Sequence, residues 1–360
     1  MRVLYFGTYE RHYPRNAQVI SALRRAGVEV IEQHVPVWED QQHKFGVGIR
    51  AAAKLAAAEL RLLRAPRIEF DVMIVGYPGH FDMQRARRVA GDRPLVFNPL
   101  LSLYDSIILD RGRWGARSIP ARVLAAIDKR ALRFADLVIA DTDAHADYFA
   151  ELSGISRAKL EVCFLGAEEP PFGPGWQPDD SFYCLFYGKL IPLHGLETIL
   201  EAARLAPDVQ FRIAGTGQLE NLLETRPENV TWVRWVDHAQ IPVELWSAGC
   251  ALGIFGTTEK ASRVIPNKAF EALACGTPLV TADTPAAREL LADEVNALLV
   301  PPGDAQALAL AVRRLRADPE LAVRIGAGGL AVYRERASEA VLGARWREIL
   351  ERLVQRDLTG

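Results

Sequence analysis

Lysine is scarce in this chain while arginine abounds, and Lys189, Lys260 and Lys268 fall in or beside short segments suited to holding an anion. In YGKLIPLHG, Lys189 follows Gly188 and His194 precedes Gly195, so both side chains can face one phosphate; solvated loop charges are the plainer account of the same residues. A second segment, IAGTGQLE, sets Gly215 and Gly217 at a strand-to-helix turn, where glycine lets a ligand or a tight turn approach the backbone. That pair lacks the third glycine of a dinucleotide fingerprint, and GTYERHYPRN after the first strand lacks the pattern altogether, which disfavours a nicotinamide-dependent dehydrogenase.

The most informative stretch is TTEKASRVIPNKAFEALACGTPLVTADTPAARELL. A loop with Ser262, Arg263 and Pro266 leads into a helix that carries Asn267, Lys268 and Glu271, ends at Gly276 and feeds a strand. A helix N-terminus offers unpaired N–H groups to a diphosphate. Glu271, one turn further in, can accept hydrogen bonds from a ribose diol. Its plainer reading is a polar residue on the solvent side of the helix, because a carboxylate buried without a partner is costly.

These groups must be positioned by regular elements, and the hydrophobic pattern supplies them. VLYFG, VEVIEQHV, DVMIVG, PLVFN, DLVIAD and LEVCFL alternate with helical patterns such as Arg117 to Phe134. Continuous apolar runs of that kind suit a parallel sheet covered on both faces. Prolines and glycines crowd residues 166–180, which read as a linker; the alternation then restarts with FYCLFYG, VQFRIAG, VTWV, CALGIF, PLVTA and ALLV. The expected architecture is two doubly wound α/β domains, residues 1–167 and 168–339, with a final helix near 340–360 packing back on the first. Ligands of such sheets sit beyond the carboxyl ends of the strands.

Composition narrows the class. At 360 residues, 49% hydrophobic and 24% charged, with formal net charge −2, the chain is a globular, enzyme-sized protein with no bulk attraction for nucleic acid. No apolar run reaches a membrane span and no signal-peptide pattern opens the chain, so a cytoplasmic protein is expected. The four cysteines lie far apart beside apolar runs and read as buried thiols. Asp141-Thr142-Asp143 imitates a metal-binding pair but precedes a helical pattern, where an aspartate serves as a cap. In the segment from Arg50 to Arg67, Arg50, Lys54, Arg61 and Arg64 fall on one helical stripe; an anionic membrane surface would suit them, and an ordinary solvated face is the alternative.

GKLIPLHGLETILEAA, IAGTGQLE, IPNKAFEALACGTPLVTADTPAARELL and NALLVPPGD together resemble the nucleotide-sugar domain of retaining glycosyltransferases of the GT-B fold, glycosyltransferase family 4. The resemblance is specific over about 180–320 and architectural before that. It implies two Rossmann-like domains facing a cleft, and transfer of a sugar from a nucleoside diphosphate donor to an acceptor hydroxyl. It also implies retention of configuration, no metal and no cofactor beyond the donor substrate. A nucleotide-sugar 2-epimerase and a non-catalytic donor-binding subunit are the alternatives.

By position, the resemblance puts Lys189 where such enzymes usually have an arginine and His194 where they have a lysine. Glu271 matches the second glutamate of the family's paired motif, while Arg263 stands in place of the first. That reversal of sign implies a phosphate or acidic sugar at Arg263, a substitute such as Glu259, or a degenerate relative. Gly7 and Thr8 end the first strand, where a loop can approach the donor diphosphate; a bare turn is the alternative. In the first domain Asp105 is the candidate for the group beside the reacting hydroxyl, with His80 nearby; Arg11, Arg15 and Arg111 are candidates for an acceptor phosphate. Fixed cations would stabilise the departing diphosphate. One unit charge at about 4 Å and an effective dielectric near 20 is worth about 4 kcal/mol, roughly a thousandfold in rate. A bound diphosphate would also raise the pKa of His194 above its ordinary value.

Overall fold

The computed structural model of the chain describes residues 1–37, 49–64, 66–178 and 182–359. The chain divides into two compact units: Met1–Ile108, Arg113–Phe164 and Glu339–Gly360 form one, and Leu109–Gly112 with Leu165–Ser338 form the other. Both are doubly wound.

In the first unit the strands are β1 (Arg2–Gly7), β2 (Glu29–His34), β3 (Val72–Val75), β4 (Leu95–Phe97), β5 (Leu137–Ala140) and β6 (Leu160–Val162), in the spatial order β2-β1-β3-β4-β5-β6. All pairs are parallel, because each crossover contains a helix that returns the chain to the same edge. Apolar side chains project from both faces. Phe6, Met73, Val75, Phe97 and Val138 pack with Phe149 and Leu132 on one, while Val3, Tyr5, Ile74 and Ile139 share the other with Leu342, Trp346 and Ile349 of the final helix, Glu339–Thr359. The C-terminal helical pattern is broken at Ala337-Ser338, between the helices Pro319–Arg336 and Glu339–Thr359. Glu339 then pairs with Arg25 at 3.1 Å, and Gly343 lies against the Ala22 carbonyl, where a Cβ would come within 2.4 Å.

The second unit repeats the plan with β7 (Tyr183–Tyr187), β8 (Gln210–Ala214), β9 (Val230–Val233), β10 (Cys250–Leu252), β11 (Leu279–Ala282) and β12 (Leu298–Val300), ordered β12-β11-β10-β7-β8-β9. After β9 the chain crosses back to lay β10 on the other side of β7. The switch point is therefore between β7 and β10, and the loops leaving those two strands diverge around one crevice. The core of this unit is built from Phe186, Phe211, Ile213, Leu252, Val280 and the helices on either face.

Candidate functional site

The segments leaving β7 and β10 carry the residues of interest. Gly188 adopts φ +128 and Gly215, after β8, adopts φ +143, regions closed to most side chains. A Cβ on Gly215 would lie 1.9 Å from the Gly188 carbonyl oxygen, and one on Gly217 would lie 2.6 Å from that of Leu190. Both glycines of IAGTGQLE thus serve close packing of backbone against the 188–190 loop. The helix Asn267–Cys275 starts after Pro266 in extended conformation with no side-chain cap, and stops at Gly276 in the left-handed region. Its first N–H groups are left without a capping side chain.

Lys268 is buried on this helix. Its Nζ sits 3.7 Å from the centroid of the Phe186 ring and makes no hydrogen bond among the described residues. Burial pushes its pKa well down, opposed by the Glu271 carboxylate. A Cβ on Gly188 would come 3.3 Å from this amine and 3.7 Å from Cε1 of His194, so amine, imidazole and a side-chain-free backbone converge on one spot. His194 donates from Nδ1 to the Lys189 carbonyl, which leaves Nε2 with its lone pair in the neutral ring. Burial, and then Lys268 and Lys260, hold its pKa well below the ordinary value. The Lys189 side chain is exposed, so Lys268 is the lysine brought to His194.

Glu271 is 4% exposed, not on the solvent side of its helix. The Tyr187 hydroxyl donates to its Oε2 at 2.5 Å, and Nε2 of His238 stands 3.6 Å from Oε1. Tyr187 and His238 escaped the reading of the sequence, although one ends a strand and the other follows one by five residues. Tyr187 is the last residue of β7, and His238 lies in the loop that leaves β9. Arg263 ends the short helix Glu259–Arg263 and pairs with Glu259 one turn back, which sets an anion of this chain against its charge. Asn267 Oδ1, on the residue before Lys268, is buried without a hydrogen-bond partner among the described residues.

The candidates of the first unit are placed differently. Thr8 is buried, with its N–H 2.8 Å and its hydroxyl 3.0 Å from the Asp82 carboxylate, and a Cβ on Gly7 would strike the same group. The donors of Thr8 are therefore committed within the protein. Asp105 opens a π-helical turn, Asp105–Asp110, and is 0% exposed, so the open position expected of it is not what this conformation shows. His80 faces Asp128 at 3.3 Å, and Asp128 also accepts from Ser102 Oγ at 2.6 Å. Arg15 is buried on Asn98 Oδ1 and the carbonyls of Cys163 and Phe164, which removes it from the candidates for an acceptor phosphate.

Asp141 pairs with Nδ1 of His145 at 2.5 Å, and it is Thr142, not an aspartate, that caps the helix Asp143–Ser153. Among the described residues no group of three or more His, Cys, Asp or Glu could hold a metal ion. Lys54, Arg61 and Arg64 are exposed on the helix Ile49–Arg64, while the side chain of Arg50 lies outside the described residues. No helix among the described residues is long and apolar enough to cross a membrane.

Two family models match the chain in tandem: "Glycosyl transferase 4-like domain" over residues 2–166 and "Glycosyl transferases group 1" over 181–318. The lipopolysaccharide core biosynthesis glycosyltransferase LpsD of Rhizobium meliloti (strain 1021) is 28% identical over 181 residues, 49% of this chain and 51% of that protein. This chain thus spans about half the length of that relative. Sucrose-phosphate synthase from Thermosynechococcus elongatus superposes with a TM-score of 0.77 at 18% identity, covering 99% of each chain. Anabaena HepE in complex with UDP-glucose gives 0.69 at 18% identity, covering 98% of this chain and 99% of the other. At such identities the likeness is one of fold.

Proposed function

Because the chain belongs to the group 1, family 4-like glycosyltransferases of the GT-B fold, we propose that it transfers a sugar from a nucleoside diphosphate donor to an acceptor hydroxyl. The observation that carries this reading is the buried amine of Lys268, unpartnered and converging with His194 on the space above Gly188. An amine enclosed without a counter-ion is unfavourable in the free protein, and a diphosphate placed there supplies one. The UDP-glucose complex of HepE, a protein of the same fold, supports a UDP-sugar as the donor to test first.

In this reading the diphosphate lies against Lys268, His194, the N-terminus of Asn267–Cys275 and the backbone at Gly188. As the glycosidic bond breaks, negative charge grows on the leaving phosphate, and these groups stabilise it where water is excluded. Glu271 accepts from the donor ribose. Lys189 and Arg263, at the rim, complete the positive field around the donor, with the charge of Arg263 reduced by Glu259. The reaction proceeds with retention and without a metal, as the sequence resemblance implies, so the departing diphosphate itself takes the acceptor proton. The acceptor is a glycan, glycolipid or secondary-metabolite hydroxyl bound by the first unit, where Asp105 must become accessible to take part. Lys54, Arg61 and Arg64 suit peripheral contact of a cytoplasmic protein with an anionic membrane.

Incubation with UDP-glucose and related donors, with and without EDTA and with glycan acceptors, tests the reading. Acceptor-dependent release of UDP with the donor's anomeric configuration kept in the product supports it. Epimerised donor without acceptor, or binding without turnover, would replace it; Arg263 in place of the family glutamate is the feature that favours the latter.

A further inference from the structure

Glu271 is enclosed by two neighbours, one on each oxygen. Tyr187 closes Oε2 with a hydrogen bond at 2.5 Å, and the phenol is buried with the carboxylate. His238 stands at Oε1, and its Nε2, at 3.6 Å, is close enough for charge attraction but beyond hydrogen-bond length. A ribose hydroxyl bound to Oε1 would place its oxygen about 2.7 Å away, in the space the imidazole edge fills. The two neighbours differ in freedom. Tyr187 is fixed at the end of a central strand. His238 is half-exposed at the start of the single turn His238–Gln240, supported on one side by the edge of Phe172, with ring centroids 5.3 Å apart.

We propose that His238 occupies the ribose subsite of the free protein and competes with the donor for Glu271, so that donor binding displaces it. The proposal rests on the donor reading above and adds to it a residue which the sugar nucleotide must move. Glu271 faces the ring directly, and Glu168 and Asp237 add negative charge; on the adjoining helix, Ile241–Ser247, Glu244 is engaged by Arg212 at 2.7 Å. The attraction of the Glu271 carboxylate first, with Glu168 and Asp237 adding to it and partial burial opposing it, holds the His238 pKa above its ordinary value. When the ribose takes Glu271, His238 loses its partner and its proton affinity falls, so binding releases a proton. Donor affinity therefore drops as pH falls from the raised value toward the ordinary imidazole pKa of about 6.5.

Calorimetric titration of UDP, GDP, ADP and dTDP in buffers of different ionisation heat counts the protons, in the wild type and in His238→Gln. Lys268 and His194 are expected to take up protons from the same ligand, but they are present in both proteins and cancel in the difference. For the nucleotide that binds, the wild type should release more protons than the variant, by a fraction of one proton that is largest between the raised and the ordinary imidazole pKa. His238→Gln should also bind more tightly than the wild type at pH 6, with the gap closing by pH 8. Equal proton counts, or weaker binding by the variant at every pH, would overturn the role of His238 and leave the donor reading standing. If none of the four nucleotides binds, the donor reading fails and this inference fails with it.

Discussion

The Nζ of Lys268 lies 3.7 Å from the centroid of the Phe186 ring and has no hydrogen-bond partner among the described residues. The ring's π face supplies some of the stabilisation that water would give a cation, though only about 2 kcal/mol even when desolvated. The Glu271 carboxylate opposes part of the remaining desolvation cost, and a bound anion would offset more of it. Replacing Lys268 by methionine keeps the volume and removes the polar head. Lys268→Met should be at least as stable as the wild type, by up to about 2 kcal/mol, while its nucleoside diphosphate affinity falls more than tenfold. Chemical denaturation and calorimetry measure the two; a variant that is less stable and binds normally would make Lys268 a structural residue only.

His194 links the same site to pH. In the folded protein its pKa is held well below the ordinary value, chiefly by burial and by Lys268. The unfolded chain takes up a proton near pH 6.5 that the folded ring refuses, so stability falls as the solution is acidified below that point. For this single group the slope is at most about 1.4 kcal/mol per pH unit. His194→Gln should show a shallower loss between pH 7 and 5.5 in urea titrations. A bound diphosphate should also flatten the wild-type profile, because it gives the imidazolium a partner. Parallel profiles for the two proteins would contradict this account of the ring.

The Glu271 carboxylate accepts from the Tyr187 hydroxyl, and the same group is proposed to hold the ribose. Hydrogen bonds to charged groups are worth about 1.5–3 kcal/mol, so Glu271→Gln should weaken nucleotide binding by roughly tenfold to a hundredfold. Glu259→Gln, which alters an exposed partner of Arg263, should change it by less than about threefold. Binding titrations of the two variants compare them; equal effects would remove Glu271 from the ribose.

Gly215 at the crevice and Gly27, in the turn before β2 of the first unit, allow a comparison of backbone costs. Gly215→Ala sets a methyl 1.9 Å from the Gly188 carbonyl oxygen at φ +143, and should cost at least about 2 kcal/mol and displace the 188–195 loop. Gly27→Ala, at φ +77 with nothing within 4 Å, should cost only about 1 kcal/mol and leave nucleotide binding intact. Thermal unfolding with and without UDP separates the two cases.

The fold was legible because strands buried on both faces write themselves as short unbroken apolar runs. VLYFG and PLVTA can hardly be anything else between helical patterns, and the twelve runs named from the sequence include the strands β1 to β12. The motif around Lys268 and Glu271 was legible as well, since one helix carries both at fixed spacing. What was hidden depends on partners distant in sequence. Asp82 reaches back 74 residues to consume the donors of Thr8, and Tyr187 meets Glu271 across 84. Local spacing also gave Lys189 and Lys268 equal claims on the anion; only the path of the loop after β7 turns the first to solvent and encloses the second. Asp105 was hidden by its π-helical turn, a departure from regular winding that apolar periodicity does not record.

The central claim is that the crevice beside β7 binds the diphosphate portion of the donor. Its most direct measurement is the affinity of UDP against that of uridine, in the wild type and in Lys268→Met. The account predicts that UDP binds far more tightly than uridine to the wild type, and that most of this gap disappears in the variant while uridine binding is little changed. A gap of the same size in both proteins would place the diphosphate elsewhere and contradict the account.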